Sequence, residues 1–291
     1  MQLPLVVGVD GSESSLVALD WAIDEAARHG LPLRLVYASR WERYEGIMPS
    51  GSVQRPSHQV MADNVVATAT ERARRRNPTV KVTGDVLPED PVYALLREGD
   101  NARAVVTGSR GRGELKGLLL GSTSLTVAGR ASGPVIVVRG DEAGLEGTHE
   151  RIVLGAGESG TCGAAVRFAL REAEARHCSL EVVRTWRRPT HESVEHPLLA
   201  GDPARYYEER ASTLIDALLL DAVADHPDVR VIRSTVEGPA HRVLVHRSAA
   251  ADLMIIGVRR SRDSGGLQMG RVGHTLLHHA ECPVAVVPQV P

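Results

Sequence analysis

Lysine is almost missing from this chain: among its 34 basic residues only Lys81 and Lys116 are not arginine. Aromatic side chains make up 3% of the sequence and phenylalanine occurs once. Proteins that hold single-stranded nucleic acid need stacking platforms and a surplus of positive charge. With so few rings and a formal net charge of −2, no nucleic-acid partner is expected. Cysteine is scarce as well. Cys162, Cys178 and Cys282 form no close pair and no metal-ligand spacing, which suits a reducing compartment. No apolar run approaches the roughly 20 residues of a membrane helix. Met1-Gln2-Leu3-Pro4 lacks the basic region and apolar core of a signal peptide, so a cytoplasmic location is expected.

Recognisable catalytic apparatus is missing too. There is no nucleophile elbow and no Ser/His/Asp order. His274 and His278 share one helix face, but no third metal ligand is identifiable beside them. Glu89 and Asp90, the one acidic pair near a strand end, read as loop residues opening a helix. No catalytic or metal-binding residue is therefore assigned.

What is present is a duplication. At 291 residues, 43% of them hydrophobic and 24% charged, the chain is long enough for two globular domains. Leu5-Val6-Val7-Gly8-Val9 reads as a buried strand, followed by a helix to about Gly30 and a strand from Leu33 to Ala38. Residues 40–57, with Pro49, Gly51 and Pro56, form a long polar connection. A helix over 58–76 with a basic end, a strand from Val80 to Val86, a helix over 91–99 and strands at 104–107 and 135–138 complete the half. Strands alternating with helices predict a parallel α/β sheet. The pattern then restarts. Ile152-Val153-Leu154-Gly155-Ala156 matches Leu5 to Val9, and Cys282-Pro283-Val284 matches Gly133-Pro134-Val135, at offsets of 147 and 149 residues. Domains over residues 1–140 and 150–291 are expected, with Gly140 to Glu150 as a glycine-rich, acidic linker.

The most informative stretch follows the fourth strand. Gly108-Ser109-Arg110-Gly111-Arg112-Gly113 is succeeded by Gly121-Ser122-Thr123-Ser124, where a helix opens. Strand, glycine-rich loop and helix N-terminus together make an anion site. Glycine lets a ligand approach the backbone closely, and the helix start offers N–H groups and the positive end of a dipole. No Gly-Lys-Ser/Thr follows at the Walker A distance, and the dinucleotide fingerprint is not matched. The loop alone is also compatible with simple chain reversal.

The spacing Gly108, two residues, Gly111, nine residues, Gly121-Ser122 resembles the nucleotide signature of the ATP-binding universal stress proteins. The resemblance covers nearly the whole chain as two tandem domains. It implies two flavodoxin- or Rossmann-like domains, each a five-stranded parallel sheet in the order 3-2-1-4-5 with helices on both faces. It also implies that the last strand of each domain pairs with its counterpart. The ligand it implies is ATP, with or without magnesium. The residues it assigns to nucleotide contact are Gly8, Val9, Asp10, Ala38, Gly108, Ser109, Arg110, Gly111, Gly121, Ser122 and Thr123, with Arg112 a further loop cation. Asp10 reads equally as a cap of the following helix, and Ala38 as a plain core residue.

The second half departs from the signature. Arg260 stands at the second glycine position, Arg271 at the serine position and Gly157 at the Asp10 position. It is not expected to bind ATP in the same manner. The function implied is a cytoplasmic, ATP-binding stress-response regulator, forming a homodimer, with an unidentified protein partner. A slow ATPase or phosphotransferase, and a scaffold that binds no nucleotide, are the alternatives.

Overall fold

Uninterrupted apolar runs of four to six residues bounded by glycine are what a parallel strand covered on both faces requires. The computed structural model, which describes residues 2–40, 57–111, 120–157, 162–188, 203–259 and 269–289, has ten strands, several of them of this kind. They fall into two units, Met1–Arg139 and Gly140–Pro291.

In the first unit β1 (Leu5–Gly8), β2 (Leu33–Ala38), β3 (Val82–Leu87), β4 (Ala104–Gly108) and β5 (Val135–Val138) pair in parallel in the order β3-β2-β1-β4-β5. Val6, Val7, Leu33, Leu35, Val106 and Val135 are completely buried. Each such side chain contributes about 1.5–3 kcal/mol by leaving water. Helices α1 (Glu13–His29) and α2 (Ser57–Arg76) pack together, as do α3 (Pro91–Gly99) and α4 (Ser122–Arg130). Right-handed crossovers place these two pairs on opposite faces of the sheet.

Local chemistry sets the helix ends. Ser12 caps α1 by accepting from the Ser15 N–H, and Gly30 ends it at φ 62°. The basic end of α2 has a partner: Arg72 grips Asp20 through two bonds and Arg76 grips Asp24 likewise. The four-residue spacing on both helices makes the pairs repeat. The Asp20 carboxylate, bonded to Arg72, raises that guanidinium's pKa further. At this exposure each pair is worth under about 1 kcal/mol.

The second unit repeats the plan with β6 (Arg151–Gly155), β7 (Ser179–Trp186), β8 (Val231–Glu237), β9 (Leu253–Arg259) and β10 (Val284–Gln289), in the order β10-β9-β6-β7-β8. Its helices are α6 (Gly163–Arg176), α7 (Pro203–Leu219), α8 (Ala240–Ser248) and α9 (Arg271–His279). Both halves thus have the expected 3-2-1-4-5 arrangement.

Several boundaries differ from the sequence reading. β3 begins at Val82, because Val80 belongs to the turn closed by its N–H to the Asn77 carbonyl. The stretch read as a linker contains a helix, α5 (Glu142–Glu146). Asp141 caps it through the Gly144 N–H, and Gly147 stops it at φ 76°. Buried Asp252 then accepts from the His149 and Arg151 N–H groups and fixes the entry into β6. The polar connection is outside the described residues from position 41 to 56.

Cys162 opens α6 and is 1% exposed. Burial pushes its thiol pKa up; a backbone hydrogen bond at Gly157 and the nearby Arg184 charge pull only partly the other way. Because the thiolate is the nucleophile, Cys162 is expected to resist iodoacetamide at pH 8 in the folded protein. It should react once denaturant is added. Mass spectrometry of the labelled peptide distinguishes the two states.

Candidate functional site

The chain leaves β1 toward β2 and leaves β4 toward β5, in opposite directions. A crevice therefore opens above the carboxyl ends of these two central strands. In the first unit it contains about 640 Å³ of unfilled space, counting its mouth.

Its floor is one row across three strands. Val36 pairs with Gly8, and one step past the Val7–Val106 pair Gly8 lies beside Thr107. All three line the crevice. Gly8 contributes bare backbone, and α3 uses the room: a Cβ there would lie 3.1 Å from Leu95 Cδ1. Val36, Ala38, Pro91 and Leu95 make an apolar wall suited to a flat ring.

The opposite side is polar. Asp10 Oδ1 accepts from the Ser12 N–H at 2.9 Å and from its hydroxyl at 2.6 Å. Asp10 thus braces the residue that caps α1 rather than capping the helix itself, while still lining the crevice. Across from it, a Cβ on Gly111 would lie 3.0 Å from Asp10 Oδ2. The loop is pinned at both ends. Arg110 N–H donates to Ser14 Oγ at 3.1 Å, and Gly121 N–H donates to the Ser109 carbonyl at 2.7 Å. Gly121 is the N-cap of α4 and has no side chain to satisfy the helix start. With the Gly121 N–H taken by Ser109, the amides that follow it at the start of α4, at Ser122 and Thr123, are left for the crevice.

Gly8, Val9, Asp10, Ala38, Gly108, Arg110, Gly111, Gly121 and Thr123 come together around this space. Ser109 and Ser122 do not line it: Ser109 closes the loop through its carbonyl, and Ser122 is exposed. Arg112 lies outside the described residues. Sequence reasoning missed Ser15, Val36, Pro91, Leu95, Thr107 and Ser124, which also line the crevice. Val36 was within reach, since residues two apart on a strand share a face with Ala38. Pro91 and Leu95 were not, because α3 is brought in by tertiary packing alone.

The second unit has a crevice of about 1090 Å³ counted the same way. Gly155 and Ile256 line it, and they pair across β6 and β9 in the row that also holds Val183, so isoleucine stands where the first unit has Thr107. Among the described lining residues there is no carboxylate, and Arg184 and Arg259 are the cations. Arg184 Nη1 donates to the Ala156 carbonyl at 3.0 Å. Arg271 opens α9 and is exposed; Arg260 and Arg262 lie outside the described residues.

Comparison with known proteins agrees with this arrangement. The profile of the Universal stress protein family matches residues 1–139 and 148–288. A universal stress protein of Mycobacterium tuberculosis H37Rv is 30% identical over 291 residues, 98% of this chain and 97% of its own. The crystal structure of a universal stress protein from Archaeoglobus fulgidus superposes with a TM-score of 0.68 at 16% identity, covering 98% of each chain. A universal stress protein solved in complex with cAMP is 28% identical, with a TM-score of 0.35, covering 47% of this chain and 97% of its own.

Proposed function

Since this chain belongs to the universal stress protein family, with two tandem family domains, we propose that it is an ATP-binding stress-response regulator whose first unit holds the nucleotide. The observation that carries this reading is the composition of the first crevice. An apolar wall sits on one side, and glycine backbone with an uncapped helix start sits on the other. The base lies against Val36, Ala38 and Leu95. The phosphates meet the bare backbone at Gly111 and the first amides of α4 beyond Gly121, at Ser122 and Thr123. Each charge-assisted bond contributes about 1.5–3 kcal/mol, so a few together support micromolar affinity, about −8 kcal/mol.

Asp10 is placed to reach a ribose hydroxyl, or a magnesium ion through water. Its engagement with Ser12 argues for a fixed acceptor rather than a proton-shuttling base. The reading is therefore of a binding protein, working in the cytoplasm as a homodimer. Among the described residues no helix is long and apolar enough to cross a membrane.

Denaturing the purified protein and identifying the released nucleotide tests the central reading. ATP or ADP is expected. Protein that carries none, and whose melting is unmoved by added ATP, would instead favour a scaffold. Steady ADP release above that of a Gly121→Asp variant would favour an ATPase. Equilibrium dialysis is expected to give one ATP per chain, because the sequence of the second half has Gly157 at the position of Asp10 and Arg260 at the position of Gly111. Two ATP per chain would refute that asymmetry.

A further inference from the structure

We propose that the Thr107 hydroxyl reads the nucleoside part of the ligand in the first crevice; this rests on the reading that the crevice takes a nucleotide. Thr107 is 4% exposed and lines the crevice floor. Among the described residues its Oγ1 has no hydrogen-bond partner. A buried hydroxyl without a partner is unfavourable, and strands do not need one. Valine has the same shape and equal or better strand propensity. The second unit makes the point directly: in the same row it has Ile256, completely apolar and 4% exposed. The hydroxyl thus stands in the half that keeps Gly108, Gly111, Gly121 and Asp10, and is missing from the half that has lost two of them.

Its position assigns it to the nucleoside rather than to the phosphates. Thr107 sits one residue before the loop, in register with Gly8 and therefore in line with Val36. That row is the floor beneath the apolar wall, not the glycine rim. Leu95 packs over the bare backbone at Gly8, so a base or ribose seated against Leu95 has Val36 on one side of that row and the Thr107 hydroxyl on the other. The hydroxyl can donate to a ring nitrogen or a sugar oxygen.

Titration of adenosine and ATP into wild-type, Thr107→Val and Thr107→Ser protein tests this, with apo melting temperatures measured alongside. Thr107→Val is expected to weaken adenosine and ATP by the same factor, about tenfold. It should also raise the apo melting temperature, since an unpaired buried hydroxyl is removed. Thr107→Ser, which keeps the hydroxyl, should bind both ligands within about twofold of wild type. A loss confined to ATP would move the contact to the phosphates and overturn the proposal. So would unchanged affinities in Thr107→Val, or a lowered apo melting temperature. Wild-type protein that binds neither adenosine nor ATP would instead remove the nucleotide reading itself, and this proposal with it.

Discussion

Gly121→Asp is expected to abolish ATP binding while leaving the protein folded. The backbone at Gly121 has φ −74° and ψ 146°, a conformation open to any residue. Aspartate is among the preferred helix N-caps, and the present cap offers α4 no side-chain bond. The new carboxylate would therefore satisfy the same amides that a phosphate needs, hold α4 at least as firmly, and repel the ligand. Losing two charge-assisted bonds at about 1.5–3 kcal/mol each corresponds to at least about a hundredfold weaker binding at 1.4 kcal/mol per decade. Gly121→Asn caps the helix without the charge, so its loss should be smaller, about tenfold. Calorimetric titration with ATP, beside circular dichroism of each variant, separates binding from folding. Full ATP affinity in folded Gly121→Asp protein would sink the assignment of the phosphates to the α4 start.

Gly108→Ala is expected to destabilise the first unit strongly, for a reason unrelated to ligand. A Cβ there would stand 2.5 Å from Ser14 Oγ, 2.6 Å from the Ser14 carbonyl oxygen and 2.7 Å from its carbon. Two of those atoms are backbone in the first turn of α1, which is anchored by Ser12 and Asp10 and cannot simply swing aside. An overpacking cost of about 3 kcal/mol follows. The equivalent change in the second unit, Gly257→Ala, meets only the Gln289 side chain, at 3.0–3.3 Å. It should cost under about 1 kcal/mol. Urea denaturation of the two variants checks the contrast; equal midpoints would mean that the Ser14 approach is not what requires glycine.

These two glycines show how far the sequence could be read. The alternation of apolar runs and helices, with the duplication at a near-constant offset, pointed to a parallel α/β arrangement in each half because a buried parallel strand leaves little freedom in composition, while the strand order came from the family resemblance. Most of the crevice-lining residues had also been picked out, since glycine spacing reports directly on backbone approach. The double duty of Gly108 was not, because the partner that excludes a side chain, Ser14, lies on another element. Nor was the role of Asp10 as a brace for Ser12, which depends on the loop bending at Gly11 with φ 79°. Thr107 looked like one more strand residue; only the row formed with Gly8 and Val36 reveals a buried hydroxyl without a partner at the crevice lining. The helix in the supposed linker was missed because five residues are too few to display periodicity.

Gln289 fills the place beside Gly257 and accepts the Ala164 N–H at 3.2 Å. The residue that opens α6, Cys162, makes no capping bond of its own. The start of α6 is therefore tied by a side chain from the last strand, 125 positions downstream. Trimming the chain ahead of Gln289, or placing a purification tag that pulls on this strand, would fray the beginning of a helix that sits far away in sequence.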